Sequence, residues 1–300
     1  MHRLDIKRSL DAADQAAVQE LFEVAERADG HRAVDEHRWL DMAEGGRAAF
    51  AGLVAWEPGH EHPVAYAQVS RGPGSWALDL VIDPHHRYDA LTIGPSMLEA
   101  ALGVIRGEGG GHVHLWVHQP TAAHDDVAAR VGLRRGRDLL QLRRPLPAEP
   151  PPDDFEVRPF RVGVDEEAWL AVNNRAFSTH PEQGDWTLET LHERQREPWF
   201  DADGFLLHER DGRLAGFCWT KVHADHEPAL GEIYVIAVDP DVAGAGLGRQ
   251  LVLAGLDHLA QRGLTVGMLY VDAGNAPARG LYDALGFTID HVDRAYVGDV

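Results

Sequence analysis

Three glycines stand at alternate positions in VDPDVAGAGLGRQL, residues 238 to 251, between an apolar run and a segment with helical periodicity. Because they lack a Cβ atom, Gly244, Gly246 and Gly248 allow the backbone to turn sharply and let a ligand approach the main-chain N–H groups. The next segment, Leu247 to Ala260, has apolar residues at helical spacing, so those N–H groups would lie at a helix N-terminus, where the dipole favours anions. The pattern predicts a phosphate-binding site, and an ordinary glycine-rich turn is the alternative interpretation.

The composition is typical of a globular protein with roughly two domains. The chain has 300 residues, of which 44% are hydrophobic and 25% charged. Neither a run of about 18 apolar residues nor an apolar signal-peptide core at the N-terminus is present in the sequence, so we expect a cytoplasmic protein with no membrane partner. The single Cys218 excludes an internal disulfide, and its apolar neighbours favour a buried thiol. A net charge of −20 argues against a nucleic-acid partner, because polyanions are repelled.

The chain looks like one unit repeated twice. A proline-rich segment, residues 145 to 154, divides the sequence near its middle and is typical of a stiff linker. The stretch 81–102 resembles 235–256, and ARVGLRR near residue 130 resembles DALGFTI near residue 285, both at an offset of about 155 residues. We therefore predict an N-terminal domain over 1–144, a linker over 145–154 and a C-terminal domain over 155–300. Two unrelated α/β domains are the alternative.

The second half alternates strands and helices. Strand FEVRPF is followed by helices over Asp165–Phe177 and Leu188–Arg196, and then by a hairpin that turns at Asp211-Gly212. Strand GEIYVIAV, the glycine loop with its helix, strand GMLYVD, a helix over Pro277–Ala284 and strand FTIDHVDRAYV complete the order. This order predicts an α/β fold with a mixed sheet and helices on its faces.

This succession resembles the GNAT superfamily of N-acetyltransferases. The resemblance is carried by Val238-Asp239-Pro240, by the loop Gly244 to Gly248, and by Asn275-Ala276-Pro277 through Tyr282 to Gly286-Phe287. It implies two tandem GNAT-type domains, an acetyltransferase activity and acetyl-CoA as the acetyl donor. The corresponding loop of the first half, HHRYDALTIG, keeps only Gly94 before its helix. We therefore predict that the N-terminal domain is a degenerate copy.

The resemblance also implies which residues contact acetyl-CoA. Pyrophosphate would lie on the amides of the glycine loop, and pantetheine would run beside the strand that precedes it. The predicted contacts are Ile236, Ala237, Val238, Ala243, Gly244, Ala245, Gly246, Leu247, Gly248, Arg249, Asn275, Ala276, Pro277, Ala278, Arg279 and Gly280, with Leu80, Val81 and Ile82 in the first half. Alanine at 243 and 245 departs from the family, which usually has Gln or Arg at the first position and often a basic residue at the second.

Two side chains are candidates for proton transfer. Glu232 lies on the strand before the cofactor segment, on the same alternating face as Tyr234 and Ile236, and we predict that it accepts the amine proton directly or through water. A solvated strand-end carboxylate is the alternative. Tyr282 matches the tyrosine of the family that returns a proton to the CoA sulfur, and its alternative is an ordinary packing aromatic.

The tandem layout, with NRAFSTHPEQGDWT and FCWTKVH in the second half, resembles GNAT members that acetylate the cysteinyl amine of a cysteine–glucosamine–inositol conjugate. That resemblance implies acceptor contacts from Glu36, Glu182, Lys221, Glu232 and Tyr270. We expect a monomer. We also expect that the protein uses no metal, because His112, His114 and His118 in the strand GHVHLWVH lack a carboxylate or Cys at ligand spacing. Acetylation of an aminoglycoside, a polyamine or a peptide N-terminus, and a non-catalytic acetyl-CoA-binding module, are the alternatives.

Overall fold

A computed structural model describes residues 3–34, 39, 42, 49–57, 59, 62–72, 74–178, 183–242, 244 and 246–300. The chain forms two compact units, one from residues 1–138 with 292–300 and one from residues 139–291. The domain limits at residues 144 and 155 stay a prediction.

The first unit combines strands and strand segments from both halves of the sequence with helices. The strands are β1 (Arg3–Lys7), β2 (Ala51–Trp56), β3 (Pro63–Arg71), β4 (Trp76–Ile82), β5 (His112–His118) and the end of β12 (Thr288–Asp299), with the start of β6 (Arg134–Pro145). The helices are α1 (Ala12–Asp29), α2 (Ala90–Gly107) and α3 (Ala122–Arg130), and a short 3₁₀ helix (Pro84–Asp89) precedes α2.

The second unit repeats this plan. Its strands are β7 (Arg158–Pro159), β8 (Phe205–Arg210), β9 (Arg213–His223), β10 (Leu230–Val238), β11 (Val266–Asp272) and the end of β6. Its helices are α4 (Glu166–Ala176), α5 (Leu188–Gln195), α6 (Leu247–Gln261) and α7 (Ala276–Ala284), and a 3₁₀ turn (Pro240–Val242) precedes α6.

Strand order confirms the predicted duplication. The first unit has the order β1-β2-β3-β4-β5-β12 and the second has β7-β8-β9-β10-β11-β6. The fourth and fifth strands of each unit, β4 with β5 and β10 with β11, pair in parallel, whereas the other pairings described within the units are antiparallel. Each unit takes its sixth strand from the end of the other half of the sequence. This exchange explains why residues 292–300 belong to the first unit.

The two units bury different kinds of side chains. In the first unit, aliphatic residues of α2 such as Leu98 and Leu102 pack on β2 to β5. In the second unit, α4 and α5 cover one face of the sheet over an aromatic cluster in which Trp169 contacts Phe205, Phe217 and Trp219. Edge-to-face ring packing of this kind is stabilising beyond the area that it buries. None of the helices among the described residues has the length and apolar character needed to cross a bilayer.

Most predicted elements of the second half are confirmed, but its first strand is shorter than predicted. The hairpin turns at Asp211 and Gly212, both at positive φ as a tight two-residue turn requires. The predicted first strand is confined to Arg158–Pro159, because only these residues pair with β8.

In the first unit, Gly94 lies inside α2, where an added Cβ would come within 2.9 Å of Val127. Gly94 therefore serves helix packing and is not the remnant of a ligand loop.

Candidate active site

Helix α6 begins at the glycine loop that the sequence predicts to bind phosphate. Gly246 is its N-cap residue with φ 76°, and Gly244 has φ 117°, conformations that strain other residues. A Cβ atom on either glycine would meet no atom within 4 Å. Gly246 has no side chain that could cap α6. The first N–H groups of this helix and the positive end of its dipole are therefore suited to an anion. Ala243 and Ala245 lie outside the described residues.

An ion pair with a buried aspartate holds the chain where β10 leads into this loop. Asp239 is 6% exposed and accepts hydrogen bonds from the Arg175 guanidinium and from the backbone N–H of Asp241. The hydrogen bond from Arg175 holds the pKa of Asp239 below its ordinary value, against the opposing effect of burial. Farther along, Arg249 Nη2 lies 3.8 Å from Glu149 Oε2, and both side chains are exposed. Arg249 is thus the described cation nearest in sequence to the glycine loop.

The parallel strands β10 and β11 separate next to this loop. Their pairing ends at Ile233 and Leu269, although β10 continues to Val238 and β11 to Asp272. Over its remaining length β10 stays paired with β9, so its other edge offers backbone donors and acceptors. An extended amide chain such as pantetheine is the kind of ligand that pairs with such an edge.

A β-bulge corrects the predicted alternation of side chains in β10. The register with β9 shifts between Ile233 and Val235, so that Glu232 faces Lys221 and Val235 faces Trp219. Glu232 and Val235 therefore point to the same side of the sheet. The prediction that Ile236 shares the face of Glu232 is wrong, because Ile236 pairs with Cys218, which points to the other side.

The carboxylate of Glu232 is buried and has a histidine partner. Glu232 is 6% exposed, and its Oε2 lies 2.7 Å from Nε2 of His223. His223 sits two residues beyond Lys221 on β9, so both side chains face the same side of the sheet. The structure thus places Glu232 between a basic residue and an imidazole, instead of in bulk solvent as the alternative interpretation required.

The ammonium group of Lys221 lies against aromatic rings. Its Nζ is 4.5 Å from the ring centre of Trp199 and 5.6 Å from that of Tyr234. These two rings also contact each other, with centroids 4.9 Å apart. Cation–π attraction thus gives the half-buried lysine a fixed position on the face that carries Glu232. A cation, a carboxylate and aromatic side chains thus lie on one face of the sheet. A polar acceptor with one amine would require these three kinds of group.

Tyr282 is buried on α7. Its ring packs edge-to-face on Phe287, and the residue is 7% exposed. Burial, with a smaller contribution from the nearby Cys218 thiol, raises the pKa of Tyr282 to about 12. The phenol therefore stays protonated at neutral pH, which is the state that a proton donor needs. Cys218 itself is buried, and burial raises the pKa of its thiol.

The predicted site residues at the start of α7 and on β11 are more exposed. Asn275 is the N-cap of α7, where its side chain accepts a hydrogen bond from the N–H of Ala278, 3.2 Å away. The residues from Ala276 to Gly280 form the first turns of this helix and are half-buried or exposed. Tyr270 is 39% exposed on β11, and its hydroxyl accepts a hydrogen bond of 2.7 Å from Gln141 Nε2.

In the first unit, Leu80, Val81 and Ile82 end strand β4. Pairing of β4 with β5 stops at Leu78 and Leu115, so these three residues also follow the separation of a parallel strand pair. A 3₁₀ helix follows the fourth strand in both units, but in the first it runs from Pro84 to Asp89 directly into α2, whereas in the second it ends at Val242 and the glycine loop follows.

Some predicted residues cannot be placed, and some site residues were missed. Glu36 and Glu182 lie outside the described residues, as do Ala243 and Ala245. The sequence prediction omitted Trp199 and His223. His223 had a detectable signal, since it follows Lys221 by two residues in WTKVH and strand alternation puts both on one face. Trp199 had none, because its contact with Lys221 depends on the packing of a distant loop.

Comparisons with known proteins agree with this geometry. The model of the acetyltransferase (GNAT) family matches residues 167–287. A mycothiol acetyltransferase of Acidimicrobium ferrooxidans is 44% identical over 300 residues, covering 98% of this chain and 96% of its own. Another from Thermobispora bispora is 46% identical and covers 98% of both chains.

Solved structures show the same fold. A GCN5-related N-acetyltransferase from Sphaerobacter thermophilus superposes with a TM-score of 0.76 at 20% identity, covering 99% of this chain and 95% of its own. A tandem GNAT protein from the clavulanic acid biosynthesis pathway gives a TM-score of 0.68 at 17% identity and covers 99% and 98% of the two chains. At such identities the likeness concerns the fold alone. The predicted α/β fold of two GNAT-type units is confirmed, and the family model matches only in the second half.

Proposed function

We propose that this chain, which belongs to the GNAT family of acetyltransferases and within it to the mycothiol acetyltransferases, N-acetylates the cysteinyl amine of a cysteine–glucosamine–inositol conjugate. This reaction is the last step of mycothiol biosynthesis, and its donor is acetyl-CoA. The observation that carries the proposal is the arrangement around the gap between β10 and β11. The buried carboxylate of Glu232 lies one residue before the two strands separate, and the glycine-initiated helix α6 lies at the other end of the gap. We place the reaction in the cytoplasm, where acetyl-CoA is supplied.

The donor would lie along β10. Its pyrophosphate would accept hydrogen bonds from the loop 243–249 and the N-terminus of α6. Its pantetheine amides would pair with the free edge of Ile236 to Val238, and the start of α7, residues 275–280, would border the other side. In the first unit, Leu80 to Ile82 offer a similar strand edge, but the 3₁₀ helix that follows leads directly into α2 without a glycine loop. We therefore propose that the second unit carries the reaction.

The chemistry needs a neutral amine and a protonated leaving group, and we propose that it uses no metal. Glu232 takes one proton from the ammonium of the acceptor, and the freed nitrogen attacks the thioester carbonyl. A backbone N–H of β10 near the bulge donates to the oxygen as negative charge develops on it. When the C–S bond breaks, Tyr282 gives its proton to the sulfur, and the second proton that the nitrogen loses on forming the amide passes through solvent to restore the phenol. The phenol is suited to this role because burial keeps it protonated.

The acceptor would bind over the face that carries Glu232. The hydroxyl-rich sugar and inositol can accept hydrogen bonds from the fixed ammonium of Lys221, and Trp199 and Tyr234 supply apolar walls. Tyr270 offers a phenol hydroxyl on the neighbouring strand. Glu36 and Glu182 complete the proposed set of acceptor contacts.

The test is acetylation of the cysteinyl pseudodisaccharide by the full chain with acetyl-CoA, followed by chromatography. The product is expected to keep a free thiol, which a thiol reagent detects and which separates N-acetylation from S-acetylation. Glu232→Gln serves as the matched control, because it keeps the shape of the side chain and removes the base. Absence of this product, together with rapid acetylation of an aminoglycoside, would overturn the acceptor assignment.

A further inference from the structure

His223 contacts the proposed base directly, although the reaction described above gives it no role. Its Nε2 lies 2.7 Å from Glu232 Oε2, and the side chains of His223 and Glu232 are 21% and 9% exposed. We infer that His223 is the positioning residue of this active site. It donates its Nε2–H to one oxygen of Glu232 and leaves the other oxygen free to take the proton of the acceptor ammonium. This inference rests on the proposed role of Glu232.

The hydrogen bond from His223 restricts the orientation of the Glu232 carboxylate. A glutamate has three side-chain torsions, and an unanchored carboxylate would sample orientations that do not face the acceptor. Its strand neighbour Lys221 is held at aromatic rings, with Nζ 4.5 Å from the ring centre of Trp199. An imidazole on the adjacent strand is rigid and reaches the carboxylate edge, so it fixes the geometry before the acceptor binds.

The same contact makes the base sensitive to pH. Histidine side chains ordinarily gain a proton between about pH 8 and pH 5. A positive charge beside a carboxylate stabilises its ionised form and makes it a weaker proton acceptor. The charged and titratable groups around His223 are Glu232 on β10, Lys221 on its own strand, and Asp225 and His226 in the turn that follows. A positioning role for His223 therefore predicts a dependence of the rate on pH that a side chain without a titratable proton at this position would not reproduce.

Two substitutions of His223 separate positioning from packing. His223→Gln places an amide N–H near the position of Nε2 but cannot take up a proton in this pH range. His223→Ala removes the donor. For the acceptor we expect kcat/KM to fall about 10-fold in the alanine variant near neutral pH and to recover largely in the glutamine variant. In His223→Gln the acid limb of the rate profile should be weaker, because an amide gains no proton in this pH range. His226→Gln is the matched control and should keep the wild-type profile.

The outcomes are decisive in both directions. An unchanged rate in His223→Ala, or an unchanged acid limb in His223→Gln, overturns the inference. Far-ultraviolet circular dichroism of each variant checks the fold, and if the alanine variant does not fold, the pH profile of His223→Gln decides alone. Glu232→Gln, measured in the same series, separates this result from the proposed function. If that variant keeps wild-type activity, Glu232 is not the base, whatever His223 does.

Discussion

The two units share a strand order and a separated parallel pair, yet only one of them keeps the residues of the site. In the second unit the last paired residues are Ile233 and Leu269, and in the first they are Leu78 and Leu115. The residue before the last paired residue of the fourth strand is Glu232 in the second unit and Ala77 in the first. The facing residue on the preceding strand is Lys221 in the second unit and Ser70 in the first.

The backbone differs at the same places. Strand β10 carries a bulge next to Glu232, whereas the register of β4 with β3 is regular. A buried aspartate follows the fourth strand in both units, but its partners differ, since Asp83 pairs with histidines and Asp239 pairs with an arginine. Burial alone would raise the pKa of Asp83, and hydrogen bonds from His62 and His85 outweigh it and hold that pKa below its ordinary value. The strand scaffold is therefore retained without the glycine loop, the bulge or the carboxylate.

The largest expected effect comes from the glycine loop. Gly246→Val should lower kcat/KM for acetyl-CoA about 100-fold or more, because strain at positive φ adds to the loss of backbone contacts with phosphate. The matched control in the first unit is Gly103→Val in α2, where an added Cβ meets no atom within 4 Å. Gly94 is unsuitable, since it packs against Val127. Equal losses in the two variants would contradict the division of roles between the units.

Removal of the base should have the next largest effect. Glu232→Gln is expected to lower kcat/KM for the acceptor about 100-fold near neutral pH. The deficit should shrink as the pH rises above about 8, because the α-amino group of the acceptor is then already neutral. Initial rates across this pH range measure the effect. A deficit that is independent of pH and accompanied by lost acceptor affinity would mean that this carboxylate only holds the substrate.

Loss of the proton donor should cost less. A thiolate, whose conjugate acid has a pKa of about 8.5, leaves without much assistance, so Tyr282→Phe is expected to reduce kcat about 10-fold. The deficit should not recover at high pH, unlike that of Glu232→Gln. Phenylalanine keeps the packing on Phe287, so the melting temperature serves as a control for folding. Identical pH profiles of the two variants would argue against separate acid and base roles.

The sequence predicted the features that depend on local patterns. Helical periodicity and the glycine series located α6 within one residue of its end, and Asp211-Gly212 located the hairpin. Tertiary features were not predictable. The bulge that turns Ile236 away from Glu232 exists only in the register with β9, and the role of Gly94 depends on Val127 in another helix. Exchange of the sixth strands likewise leaves no local signal, since β6 and β12 look like ordinary closing strands of their own halves.

The smallest expected effect concerns stability and compares one aspartate of each unit that accepts hydrogen bonds from arginines. In the first unit, Asp125 accepts hydrogen bonds from Arg135, Arg294 and Tyr296. The hydrogen bond from Arg135 is the main cause that lowers the pKa of Asp125 to about 2. In the second unit, Asp165 accepts from Arg158 and Arg161, and these contacts outweigh burial and hold its pKa well below the ordinary value.

Asp125→Asn should lower the free energy of unfolding by about 1 kcal/mol at pH 7, a modest value because Arg135 is largely exposed and solvent screens the pair. Since the folded-state pKa lies below the unfolded one, the stabilisation is complete above about pH 4 and is lost as the pH falls toward 2. The difference between wild type and variant in urea unfolding should therefore shrink below pH 4. Asp165→Asn should likewise lose its difference as the pH falls, because the folded-state pKa of Asp165 is also held below its ordinary value. A difference that stays constant from pH 7 to pH 3 in Asp125→Asn would show that the substitution acts through packing and not through charge.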